Sequence, residues 1–231
     1  MVRSLKRVTR KDIRRPDQFV TFTGRLFHLV EEHRNAFVAS LALILLVVLG
    51  LWGWDSYRSR QNRLAAQQYS RAVTLYRDGK FREALETLSH LNIYRSSPYT
   101  RFGLFYQANA HIALKEPAKA IEALQELLRQ ERKDPLLRQL AFMELGTTQE
   151  RAGQCGEAAQ SFSEAEKISG PFREEALLGK ARCSTQNRDL NEALKSYRQY
   201  LTNYPASERI AAISLQIQEL EAKVSQASPG K

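Results

Sequence analysis

The sequence predicts an all-α protein: one transmembrane helix, then a solenoid of helical hairpins that closes on a capping helix. Three observations carry this expectation. Near the N-terminus stand nineteen uncharged residues, AFVASLALILLVVLGLWGW, from Ala36 to Trp54. Beyond them a step of Glu or Lys, alanine and a further small or aliphatic residue recurs four times at hairpin-length intervals. At the end, Ile210, Ile213, Ile217, Leu220 and Val224 mark one face of a last helix.

Composition bounds the rest. With 231 residues, 43% of them hydrophobic, the chain can bury a core and is no disordered tail. Two cysteines cannot staple a disulfide-dense mini-domain, and four scattered histidines leave little for a metal centre. The balance of 35 Lys and Arg against 25 Asp and Glu gives +10, which at first sight suits nucleic acid. Its location argues otherwise. Half of it, nine basic against four acidic residues, lies in the first 35 residues, and the remainder is spread among acids along the later helices. No nucleic-acid partner is expected.

Residues 1–35 read as a basic cytoplasmic tail. After Pro16-Asp17, the residues Phe19, Phe22, Leu26, Leu29 and Val30 fall at helical spacing, with Arg25 and Arg34 off the stripe. That suits an amphipathic helix lying in the membrane interface. Thr21, Thr23 and Gly24 are poor helix formers, so a partly ordered linker is the competing reading.

Residues 36–54 are expected to span a bilayer. Nineteen residues at ~1.5 Å each make roughly 28 Å of helix, close to the ~30 Å hydrocarbon layer. A soluble helix of this length would show a polar face, and only Ser40 interrupts this one. Trp52, Trp54 and Tyr57 suit an interfacial aromatic belt. A cleaved signal peptide fits less well: the lead is long, the apolar run exceeds the usual ~7–15 residues, and no A-x-A-like site follows Trp54. The basic tail is expected to stay in the cytoplasm and send the C-terminal part across. One local count opposes it, because Arg58, Arg60, Arg63 and Arg71 follow the span while only Arg25 and Arg34 closely precede it. A long folded domain translocates largely regardless of charge, so the whole-tail count is preferred.

Residues 55–226 are expected to form the repeat domain. No Gly or Pro interrupts Trp54 to Asp78, so the first helix could run straight on from the span; a hinge near Asp55-Ser56 is the alternative. The repeated alanines are Ala84, Ala120, Ala158 and Ala193, spaced by 36, 38 and 35 residues. Twelve positions before each stands a small residue, Ala72, Ala108, Gly146 or Ala181. Four after each comes Leu88, Leu124, Phe162 or Tyr197, and seven after comes Leu91, Leu127, Ala165 or Tyr200. Small residues let paired helices approach closely while the larger ones fill the gap to the next pair. Pro98, Pro135, Pro171 and Pro205 are expected to punctuate the ends of the second helices. The helix near the C-terminus covers the last repeat and shows water its Glu208, Gln216, Gln218 and Glu221, and residues 227–231 are expected to be disordered.

This pattern resembles the tetratricopeptide repeat over residues 65 to 205, with Leu145-Gly146 and Tyr200…Pro205 the closest matches and the usual early Trp absent. The resemblance implies a right-handed solenoid that binds proteins or peptides on its concave face. Its groove positions fall on Tyr69, Val73, Tyr76 and Arg77 in the first unit and Phe102, Phe105, Asn109 and Ile112 in the second. Met143, Thr147 and Arg151 follow in the third, with Leu178, Arg182 and Gln186 in the fourth. The groove would be aromatic towards the span and more polar and basic towards the end. In such a solenoid Cys155, opening one helix, neighbours Cys183, late in the next; two readings are open, a disulfide or two buried free thiols.

Catalytic motifs are missing from the sequence: there is no H-E-x-x-H and no G-x-S-x-G, and Gly179-Lys180 lacks the rest of a phosphate loop. His28, His33, His90 and His111 have no ligand at metal-binding spacing. No enzyme activity, cofactor or metal is expected. A short basic tail, one span and a repeat domain close behind resemble the single-pass ancillary subunit of the bacterial Sec translocon. That resemblance implies periplasmic repeats on the bacterial inner membrane, associating with translocon or chaperone proteins in protein translocation or envelope protein assembly. The alternative is a membrane-anchored adaptor or import receptor whose repeats face the cytosol.

Overall fold

The structure, a computed structural model, describes residues 34–227, and among them every regular element is helical. The tail and its expected amphipathic helix lie outside the described residues. The chain divides into two compact units, one ending at Tyr57 and the other beginning at Arg58.

The first unit holds the start of helix α1, Arg34–Arg77. Every residue it contributes from Asn35 to Tyr57 is exposed, the apolar ones included. The helix is unbroken at Asp55-Ser56, as the absence of Gly and Pro beyond Trp54 suggests.

In the second unit the rest of α1 pairs with α2, Phe81–Ser89, followed by a 3₁₀ turn over His90–Tyr94. Three more hairpins follow: α3 Pro98–Ala113 with α4 Pro117–Gln130, α5 Pro135–Arg151 with α6 Cys155–Lys167, and α7 Arg173–Gln186 with α8 Leu190–Asn203. Helix α9, Ile210–Ala227, closes the series.

Each hairpin turns in the same way, five residues before its repeated alanine. Gly79, Lys115, Gly153 and Arg188 all take left-handed backbone, with φ between 60° and 77°. Around each, the amide one residue later bonds back to a carbonyl of the first helix, as in Lys80 N to Leu75 O at 2.9 Å and Asp189 N to Ser184 O at 2.9 Å. These bonds satisfy carbonyls that a helix end leaves free. The prolines act at the other junction. Pro98 and Pro135 occupy the first turn of α3 and α5 rather than terminating the helix before. Their fixed φ and missing N–H suit that position. Asp134 reinforces it by accepting from the amides of Leu136 and Leu137 at 3.0 and 3.1 Å.

The core is a string of clusters rather than one centre, as stacking of near-identical units requires. Ala65, Ala72, Leu88 and Leu91 form the first, and Leu104, Leu124, Leu127 and Leu145 belong to the second. The third holds Met143, Phe162, Ala176 and both cysteines, and the last packs Leu177, Tyr197 and Tyr200 against Ile213, Ile217 and Leu220 of α9. Every repeated alanine and every small residue twelve positions before it is buried. The capping face is as expected, but α9 begins only at Ile210, and Ala227, expected to be disordered, is its last residue. Residues 228–231 lie outside the described residues.

Candidate functional site

The residues expected to line the groove come from the first helices of the four hairpins, and the structure sorts them into three kinds. Tyr69, Val73, Tyr76, Phe105, Asn109, Ile112, Thr147 and Arg182 are half-buried, and Arg77, Phe102, Arg151 and Gln186 are exposed. Met143 and Leu178 are different: at 8% and 5% exposure they belong to the core. Met143 packs with Cys155 and Phe162, and Leu178 joins the cluster that α9 covers. Their place in the groove is therefore corrected, because a side chain held on all sides by packing cannot also face a partner.

The aromatic end is organised around Tyr106, which the repeat positions did not single out. Its ring meets Tyr69 at 5.6 Å and Tyr76 at 5.4 Å, both nearly edge-on, and Phe105 at 6.4 Å. Tyr69 further touches Tyr99 and Phe102, and Tyr76 touches Phe81. Edge-to-face contacts of this kind add roughly 0.5–1.5 kcal/mol each beyond the area they bury. Burial first, and the neighbouring Tyr106 second, push the Tyr69 phenol up to about 12. Burial also raises Tyr76, with Tyr106 and the Glu144 carboxylate acting in the same direction. The signal for Tyr106 lay in its offset, two residues before the small Ala108, which turns it towards the preceding first helix.

The two arginines expected at the distal end differ. Arg182 forms a two-pronged pair with Glu150, Nε and Nη2 at 3.1 and 3.0 Å, and Glu175 lies 3.7 Å from its Nη1. Glu175 in turn holds Arg209 at 2.7 Å. The hydrogen bond to Glu150, opposed by burial, holds Arg182 above its ordinary pKa. Its charge is thus spent inside the protein. Arg77 and Arg151, by contrast, join no ion pair among the described residues. Arg151 and Ile112 help to line a cleft of about 350 Å³ with Lys115, Pro117, Thr148 and Ala152.

Both cysteines are buried free thiols. Cys155 donates to Gln186 Oε1 at 2.8 Å. Burial, then the hydrogen bond with Cys155, pushes Cys183 up to about 12. The Cys183 thiol so placed is a weak nucleophile, because the thiolate is the reactive form. Among the described residues, no group of three His, Cys, Asp or Glu side chains is arranged to hold a metal.

Gln139 is a further feature that the repeat pattern did not reveal. Fully buried, it donates from Nε2 to the carbonyls of Ala165 and Ile168 at 3.1 and 2.8 Å and accepts from the amide of Phe172. One side chain thereby ties α5 to the end of α6 and the start of α7, where backbone groups would otherwise go unpaired.

Residues 29–222 match the family described as "Tetratricopeptide repeat-like domain". Among solved structures, putative kinesin light chain repeats of Podosopora anserina share the fold at 19% identity, covering 72% of this chain and 93% of theirs with a TM-score of 0.53. The protein YrrB, described as having an unusual peptide-binding site, is 18% identical over 68% of this chain and 76% of its own, with a TM-score of 0.54. MamA is likewise 18% identical, over 64% and 75%, with a TM-score of 0.52. No curated protein sequence matches the chain.

Proposed function

Because the chain belongs to the tetratricopeptide repeat-like domain family, we propose that it is a membrane-anchored scaffold that captures proteins or peptides in the groove of its repeats. The observation that carries the anchor is uncovered apolar surface. From Phe37 to Trp54 the large apolar side chains of α1 are 50% to 71% exposed, and the helix is long and apolar enough to cross a bilayer. Soluble proteins rarely leave so continuous an apolar patch to water. The family match, which begins at residue 29, takes in this stretch together with the repeats. Peptides are the partner class named for the similarly folded YrrB.

On this reading residues 36–54 cross the bacterial inner membrane, 1–35 are cytoplasmic, and 55–226 form a periplasmic repeat domain. The scaffold assists protein translocation or envelope protein assembly alongside translocon or chaperone proteins, and it catalyses nothing itself. Arg58, Arg60, Arg63 and Arg71, close behind the span, favour the second reading, an adaptor with cytosolic repeats. Protease accessibility separates the two. The repeat domain should be digested in spheroplasts and protected in inverted inner-membrane vesicles; the reverse pattern assigns the repeats to the cytosol.

A further inference from the structure

The cleft of about 350 Å³ between the second and third hairpins combines an apolar floor with two cations. Ile112 near the end of α3, Pro117 opening α4, and Ala152 just beyond α5 supply the floor, with the buried Thr148 beside them. Thr148 brings no free donor, because its hydroxyl donates to the Glu144 carbonyl at 2.8 Å. Lys115, in the turn between α3 and α4, and Arg151, the last residue of α5, line the same cleft and are both exposed. Neither joins an ion pair among the described residues.

The acids that could have neutralised them are engaged elsewhere. Glu116, next to Lys115, is held by His111 and Lys119 at 2.8 and 3.1 Å, and Glu150, next to Arg151, is held by Arg182 at 3.0 Å. Burial raises the pKa of Glu144, two turns back on α5, and the charge of Arg151 opposes that rise without an ion pair forming. Two like charges on one cleft focus a positive field into it. Lys115 also holds its place at a cost in backbone strain. Its φ of 60° is the left-handed conformation that glycine supplies at Gly79 and Gly153, where no Cβ resists it. Strain of this kind, kept on a charged side chain at the mouth of a cleft, marks a site rather than a mere turn.

We infer that this cleft receives an acidic side chain and a nearby aliphatic one from an extended partner polypeptide, the carboxylate held by Lys115 and Arg151 and the aliphatic group laid on Ile112, Pro117 and Ala152. This rests on the scaffold reading and adds the chemistry of the partner. An extended chain turns every second side chain to the same face, so the two groups stand two positions apart. The volume lies near the lower end of the ~300–1,000 Å³ usual for ligand cavities, which suits one or two side chains.

The test is fluorescence anisotropy with the full chain in phosphatidylcholine nanodiscs and labelled dodecapeptides, identical except for a central Leu-Ala-Glu, Leu-Ala-Gln or Ser-Ala-Glu. The wild-type protein should bind the first roughly tenfold more tightly than the second, the scale of a hydrogen bond to a charged group, and more tightly than the third. Arg151→Gln should remove the preference for Glu over Gln. Lys115→Gly should weaken it too while leaving the urea midpoint no lower than that of the wild type, because glycine takes the left-handed turn without strain. Equal wild-type affinities for the Glu and Gln peptides overturn the inference and leave the scaffold reading standing, as does a preference that survives both substitutions. The preference should persist in phosphatidylglycerol nanodiscs; its loss there would give the two cations to lipid headgroups and overturn the inference. Binding of none of the peptides overturns it as well, and the scaffold reading is then judged by polypeptide crosslinking along the first-helix face. The wild-type comparison needs no variant, so a folding defect cannot mask the result.

Discussion

Phe162 shows how tightly the repeats are built. Its ring, 1% exposed, lies between α5 and α7, and a Cβ added at Gly146 or at Gly179 would come within 2.8 Å of it. Alanine in a helix interior is ordinarily better than glycine by ~1 kcal/mol. Here the clash with a packed ring outweighs that gain, since overfilling a core costs ~1–3 kcal/mol. Gly179→Ala should therefore destabilise the protein in urea titration. Phe162→Leu placed beside it should recover part of the loss, and Gly156→Ala, whose Cβ would meet nothing closer than 4.0 Å, should be near neutral. Gly146 was legible in the sequence as one of the small repeat residues, but Gly179 was not, because it sits two positions before the repeat's own small residue, Ala181. The groove divides in the same way. The sequence marks which helix faces carry Tyr69, Tyr76 and Phe105, yet it cannot tell that Met143 and Leu178 are covered, since burial there depends on how the neighbouring hairpins pack.

Between elements, the junctions repay the same attention. The hairpin turn needs left-handed backbone, and glycine announces it at Gly79 and Gly153; Lys115 and Arg188 adopt it without any such signal. The junction between α4 and α5 depends instead on Glu131, only 4% exposed. Its Oε1 accepts from the amides of Lys133 and Asp134 at 2.8 and 2.9 Å, and its Oε2 pairs with Arg101 at 2.7 Å. Burial opposes ionisation, but the two amides and Arg101 outweigh it and hold the carboxyl below its ordinary pKa. A depressed folded pKa stabilises above the unfolded value of ~4.3, and that contribution is lost as pH falls through the lower folded value. Glu131→Gln should thus cost about 2 kcal/mol at pH 7, on the scale of hydrogen bonds to a charged group. The gap between variant and wild type should close in urea titrations carried from pH 5 down to pH 3. Two amides of one turn and the distant Arg101 of α3, gathered around the acid that opens Glu131-Arg132-Lys133-Asp134, could not be read from sequence, where such a run suggests only a solvated loop.

For the whole molecule, the charge and the hydropathy each average over parts with different physics. A mean hydropathy of −0.46 conceals the apolar stretch of α1, and +10 combines a basic tail with a repeat domain in which basic residues only modestly outnumber acidic ones. The architecture was legible because a repeat states its rule four times. The aromatic cluster was not, because Tyr106 joins it from a position at which the other hairpins carry Ser70, Glu144 and Gly179. The central claim is that the repeats hold a polypeptide along the first-helix face. A photo-crosslinking residue at Phe102, 38% exposed beside Tyr69, tests it most directly against one at the exposed Glu122 on α4. In intact membranes, polypeptide adducts should form from position 102 and not from position 122. Equal adduct yields from both positions, or adducts only from position 122, would contradict the account.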